Sequence, residues 1–233
     1  MKKLFFLLTG LAAFTIINAQ SLNEIVKNYS AAIKYDKLAS VTSIKITGKM
    51  AAMGMEMPMI MYMKNPNKIK VTYSFNGQDM VSVFDGEKGY MMNPMMGSSE
   101  PVELTGEQLV QVKKNSAFNN ELLGYFKDGK LTLEGEESVN GKPAYKLKAA
   151  TGSNPIYMFI DKSSYYMVKT SATVDQMGTA MNVDSYMTDY VDISGVILPK
   201  KTSAMANGME AAVITFDKIE VNLPMEDSFF KLK

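Results

Sequence analysis

A chain of 233 residues, 46% hydrophobic and 21% charged, can bury its own core in one or two domains. A formal net charge of +1 leaves no basic surplus to attract nucleic acid or an anionic surface. The chain contains no Cys, His, Trp or Arg, which excludes a Ser-His-Asp triad, a cysteine nucleophile, an ordinary zinc site and any disulfide.

Lys2 and Lys3 open the chain, and Leu4 to Ile17 is an apolar stretch too short to span a membrane comfortably. Ala19 places a small residue at the expected cleavage point. Residues 1–19 are therefore read as a signal peptide and residues 20–233 as one mature domain delivered to the periplasm. No Cys follows the apolar stretch, so no lipid anchor is expected on the mature chain. No second apolar run approaches the ~18 residues of a membrane span.

Asn23 to Ala39 has helical spacing, with Ile25, Tyr29, Ala32 or Ile33, and Leu38 on one face. From Ser43 the pattern shortens to alternating runs, predicting strands at 43–52, 55–64, 67–75, 78–84 and 88–92. Thr105 to Phe126 interrupts them. Thr105 and Gln108 form a capping pair, Leu109 and Val112 continue a helix, and Phe118 to Phe126 gives a second one. Further strands are predicted at 130–138, 143–150, 155–161, 165–174, 179–190, 196–206 and 209–222. Asn76-Gly77, Asn140-Gly141, Asn207-Gly208, Asp85-Gly86 and Asp128-Gly129 lie between these runs and supply the positive φ of tight hairpins. Consecutive hairpins without a long linker predict an α+β fold: one strongly curved antiparallel sheet with a few helices against it.

Met53, Met55, Met57, Met59, Met61 and Met63 alternate along the second of these runs, and Met91, Met92, Met95 and Met96 form another group. A period of two places the first six on one strand face. Three readings fit. The methionines could be plain sheet core. They could line an adaptable apolar cavity, because Met is unbranched, flexible and polarizable. They could also hold Cu(I), which prefers soft thioethers, although the usual His and Cys companions are missing.

Other chemistry is sparse. Neither a dinucleotide-binding Gly-x-Gly-x-x-Gly nor a Walker pattern occurs, and no EF-hand loop does. Glu134 with Glu136 and Glu137, and Glu226 with Asp227, read as solvated acidic groups. No catalytic residue, metal or cofactor is therefore expected, and the protein is not expected to be an enzyme.

Longer segments then fall into an order. Met61-Tyr62-Met63-Lys64-Asn65-Pro66-Asn67-Lys68-Ile69-Lys70-Val71 precedes Val81-Ser82-Val83-Phe84-Asp85-Gly86-Glu87-Lys88-Gly89-Tyr90-Met91-Met92-Asn93-Pro94. The chain closes on Ile219-Glu220-Val221-Asn222 and Asp227-Ser228-Phe229-Phe230. Together these resemble the LolA-like periplasmic lipoprotein carriers, in the form found in Bacteroidetes as outer-membrane lipoprotein-sorting proteins. The resemblance covers most of the mature chain. It implies an unclosed β-barrel of about eleven strands whose open side is covered by helices, here the N-terminal helix and Thr105 to Phe126. It also implies a hydrophobic cavity for the acyl chains of lipoproteins in transit to the outer membrane, served by an inner-membrane release complex and an outer-membrane acceptor. A monomer is expected. The expected lining is Met55, Met57, Met59, Met61 and Met63, with Tyr90, Met91, Leu122, Leu123 and Phe126. LolA-type carriers usually have Arg before the Pro of this strand, and it helps govern closure. Here the gating position holds Asn65 beside Lys64, and neither offers a guanidinium fork. The same fold also serves as a non-enzymatic interaction or sensor module, which remains an alternative, with Cu(I) binding ranked below it.

Overall fold

A computed structural model describes residues 20–116, 120–152, 154–176 and 179–232. Residues 1–19, read above as a signal peptide, lie outside the described residues, as does Phe118. The strands are β1 Ser43–Ala52, β2 Met55–Lys64, β3 Lys68–Phe75, β4 Gln78–Phe84, β5 Gly89–Asn93 and β6 Ser98–Glu103, then β7 Leu131–Val139, β8 Lys142–Ala149, β9 Ile156–Asp161, β10 Met167–Gln176, β11 Thr179–Ile193, β12 Val196–Ala206 and β13 Met209–Val221. The helices are α1 Leu22–Ala32, α2 Tyr35–Ala39, α3 Gly106–Ser116 and α4 Glu121–Lys127.

All thirteen strands join one antiparallel sheet in the order β6-β5-β4-β3-β2-β1-β13-β12-β11-β10-β9-β8-β7. The two ends, β6 and β7, do not pair, so the barrel is unclosed. The strand count exceeds the expected eleven. Twelve of the strands lie where alternation predicts them; β6 does not. Its sequence, Ser98-Ser99-Glu100-Pro101-Val102-Glu103, is polar and contains a proline. Proline cannot donate to a ladder, and an edge strand with one side unpaired tolerates it. At the other edge, β7 carries Glu134, Glu136 and Glu137, which discourage pairing with a further chain.

Three of the five expected turn pairs behave as read, whereas at Asp85-Gly86 only Gly86 has a positive φ, within a longer β4–β5 loop in which the Asp85 N–H donates to the Lys88 carbonyl. Asn76-Gly77, Asn140-Gly141 and Asn207-Gly208 all have positive φ at both residues, as a two-residue hairpin needs. Met53-Gly54 does the same, with φ of 53° and 75°, so Met53 occupies the β1–β2 turn rather than the strand. Asp128-Gly129 departs from expectation. Asp128 caps the end of α4, and the pair joins a helix to β7. The N-terminal helix also breaks earlier than predicted: Lys34 takes a left-handed φ of 52°, separating α1 from α2. Asp192, at the end of β11, holds the Lys34 ammonium beside that break.

The inner face of the sheet carries the helices and three packed regions. Ile25, Val26 and Tyr29 of α1 and Leu122 of α4 pack on Leu131, Leu147, Met158 and Ile160 from β7 to β9. Asn120 ties these helices together. Its Oδ1 accepts from the Leu123 amide at 3.2 Å, capping α4, while its Nδ2 donates to the Tyr29 hydroxyl at 2.7 Å. The central region gathers Val41, Ile44, Ile46, Met59, Val196 and Ile219. The third places α3 over β3 to β5 through Ile69, Phe84, Leu104 and Val112. Gly89 permits that approach, because a Cβ there would lie 3.1 Å from Val112 and 3.2 Å from both Leu104 and Leu109.

The C-terminal segment crosses the outer face. Phe230 is fully buried, and the Phe229 ring meets Tyr62 of β2 edge-on at 4.7 Å between centroids. The Lys70 ammonium lies over the Phe229 ring.

Candidate functional site

Strand pairing decides which side chains can form a wall. β2 lies between β1 and β3, with Met57 opposite Met50, Met59 opposite Gly48 and Tyr73, and Met61 opposite Ile46 and Val71. One strand further, Tyr73 pairs with Met80 and Val71 with Ser82, and Ser82 pairs with Met91 on β5. Residues paired directly share a face, so a continuous apolar strip runs across five strands.

Two cavities open along this strip. The first, about 360 Å³, is lined by Met50, Met55, Met57, Tyr73, Phe75, Met80, Val81, Ser82, Met91, Asn93 and Met95. The second, about 330 Å³, lies beneath α3 between Ile69, Val71, Leu104 and Val112, with Gln108, Gln111 and Asn115 at its helical side. Tyr73, Ser82 and Met91 border both, so the two cavities are adjacent parts of one trough. Among the described residues no charged side chain lines either. Burial raises the Tyr73 hydroxyl above its ordinary pKa, so it remains neutral in the physiological range. Each cavity lies in the range of small-ligand sites, roughly 300–1,000 Å³. A larger groove of about 530 Å³ lies on the outer face under the C-terminal segment, but Lys45 and Glu226 border it. Charged walls make it a poorer seat for an apolar chain.

The structure divides the residues singled out from sequence. Met55 and Met57 line the first cavity. Met59 is fully buried in the central core. Met61 packs between the central core and the region under α3, and Met63 packs in the latter. Met91 borders both cavities, whereas Tyr90, its strand neighbour, lies on the opposite face by alternation and pairs with Val83 and Glu103. Leu122, Leu123 and Phe126 pack with α1 in a different part of the core from the methionines. Met50, Tyr73, Phe75 and Met80 complete the wall without having been singled out, and Met95 joins it from the second methionine group. Methionine content alone could not select them, but the register does.

The Lys64–Asn65 pair also splits. Lys64 donates to the Met225 carbonyl at 2.7 Å and forms a 2.6 Å ion pair with Asp227, so it anchors the C-terminal segment. That hydrogen bond, with Lys68 nearby, holds the Asp227 carboxyl below its ordinary pKa. Asn65, in a cis peptide with Pro66, donates its backbone N–H to the Thr42 carbonyl at 2.9 Å. Its side-chain Nδ2 reaches the Val41 carbonyl, two residues past α2, at 3.5 Å.

No protein-family model matches the sequence, and no curated protein does. Solved structures do match in fold. A LolA superfamily protein from Nitrosomonas europaea aligns with a TM-score of 0.58 over 92% of this chain and 99% of its own, at 14% identity. A domain assigned to outer membrane lipoprotein sorting from Vibrio parahaemolyticus aligns with a TM-score of 0.60 over 89% and 94%, at 11% identity. The chain has the LolA-like fold. A DUF1329 family protein from Desulfovibrio piger shares it, with a TM-score of 0.55 over 89% of this chain and 97% of that one, at 11% identity. Within the LolA-like fold of this chain, the apolar trough occupies the inner face from β1 to β5, partly roofed by α3. Among the described residues no cluster of His, Cys, Asp or Glu forms a metal site, and no helix is long and apolar enough to cross a membrane.

Proposed function

We propose that this protein is a periplasmic carrier that holds acyl chains of lipoproteins or other lipids in the trough between β1 and β5, on their way to the outer membrane. The carrying observation is the charge-free wall of methionine and aromatic side chains on the inner face of a LolA-like fold. Such a wall favours an apolar chain, because each ~100 Å² of apolar surface removed from water contributes about 2.5 kcal/mol before ordering costs. The thioethers let the wall adapt to chains of different shape. Transfer by this route breaks no bond and uses no cofactor. An inner-membrane donor and an outer-membrane acceptor would load and unload the chain, and Asn65 would hold the segment after α2 in place of the Arg usual in such carriers.

The test is saturable binding of a fluorescent apolar probe and its displacement by an acyl lipid. Met57→Asp and Met80→Asp place a carboxylate in the wall and are expected to weaken binding at least tenfold. Undiminished binding in both variants removes the trough from the account. A protein that binds no apolar probe would instead be a non-enzymatic interaction module with the same fold.

A further inference from the structure

The methionines of the trough differ in their access to solvent. Met55, on β2, and Met95, in the short 3₁₀ turn Pro94–Met96 that follows β5, both line the first cavity, and they are 38% and 49% exposed. Both therefore stand where that cavity meets water. Met57, two residues along β2 in the same wall, is buried, and Met59 beyond it is fully so. Met53 and Met209, at hairpin ends, are 93% and 72% exposed but border neither cavity of the trough. The chain has no Cys, so its thioethers are the groups most readily oxidised by a peroxide.

Resting on the carrier reading above, we propose that Met55 and Met95 are oxidation sites through which a peroxide lowers the affinity of the trough for its apolar chain. The thioether sulfur takes one oxygen atom from hydrogen peroxide. An S–O bond forms as the O–O bond breaks, the sulfur is oxidised to the sulfoxide, and the peroxide is reduced and leaves as water. The sulfoxide is polar, and a methionine sulfoxide reductase returns it to the thioether. Each sulfoxide places a strong acceptor at the edge of a wall whose donors are the Tyr73 and Ser82 hydroxyls and the Asn93 amide. An acyl chain offers no donor, so lying against the sulfoxide it strips away water without replacing it. An empty trough leaves both thioethers open to the oxidant, whereas a loaded one covers them.

The experiment treats the intact protein with dilute hydrogen peroxide. Peptide mass mapping follows the sulfoxide at each methionine, and a fluorescent apolar probe reports affinity at each dose. Met53 and Met209 are expected to oxidise without any change in probe binding. As Met55 and Met95 follow, affinity is expected to fall about tenfold in step with them. Saturating methyl dodecanoate is expected to slow oxidation at Met55 and Met95 but not at Met53 and Met209. The double variant Met55→Leu, Met95→Leu is compared before and after the same dose and should keep its own starting affinity, while Met53→Leu, Met209→Leu should lose affinity as the unaltered protein does. Complete oxidation of Met55 and Met95 with affinity unchanged overturns the proposal. So does an equal loss in the Met55→Leu, Met95→Leu variant. A protein that binds no probe before any oxidant is added removes the carrier reading, and this proposal with it.

Discussion

Met55 and Met59 lie on the same face of β2 yet face different surroundings. Met59 is fully buried among Ile44, Ile46 and Ile219, while Met55 is 38% exposed at the mouth of the first cavity. Replacing Met59 with Ala leaves a hole that close-packed neighbours fill in part, and is expected to cost about 2–5 kcal/mol. Met55→Ala removes a side chain already half in solvent and is expected to cost less than ~1 kcal/mol. Urea unfolding of the two variants measures the contrast. Equal losses would mean that the stripe is one uniform core with no wall set apart for a ligand. The methionine stripe thus runs from a cavity wall into packed core, and its alternation in sequence gives no sign of where the change occurs.

At the scale of elements, α1 and α4 are joined through the Tyr29 hydroxyl and the Asn120 side chain, inside a core region separate from the trough. Burial pushes the Tyr29 pKa up from 10 to about 12, opposed by the Asn120 hydrogen bond. The folded state therefore keeps a proton that the unfolded chain releases near pH 10. The stabilisation from this group is complete below pH 10 and is lost as pH rises toward 12. Urea midpoints should fall across that window, and Tyr29→Phe should reduce the slope. An unchanged slope in the variant would place the alkaline loss elsewhere.

The same scale shows what the sequence made legible. Twelve strands were readable because short apolar-rich runs, most with period-two patterning, lie between turn signals, although β9 is buried on both faces from Met158 to Asp161. The Asn-Gly pairs were readable because few residues other than Gly and Asn accept a left-handed φ at low cost. The edge strand β6 was not, since its polar run with Pro101 carries no alternation. The break at Lys34 was not either, because nothing in Ile33-Lys34-Tyr35 departs from helical composition. The trough was half legible. Met55, Met57 and Met91 belong to it, but Met50, Tyr73, Phe75 and Met80 enter through cross-strand register, which a single strand's sequence does not specify. Tyr90 borders neither cavity, since it alternates with Met91 along β5 and faces the other side.

For the whole molecule, the unclosed sheet separates two functions of the fold. One half, β7 to β9 with α1 and α4, is filled by packed side chains. The other half, β1 to β5, is filled in its centre and under α3 but open along the methionine wall. The C-terminal segment closes the outer face of that open half, pinned by Lys64 and Lys68 to Asp227 and by the buried Phe230. A closely packed region thus lies beside an open one, and the carrier reading depends on the open region taking up a lipid. Native mass spectrometry of the protein purified gently from its own host, with lipid extraction in parallel, tests this most directly. The account predicts one acyl-bearing molecule per chain, released by organic solvent and diminished in Met57→Asp. A protein that emerges empty, and stays empty when offered an acylated peptide, would contradict it.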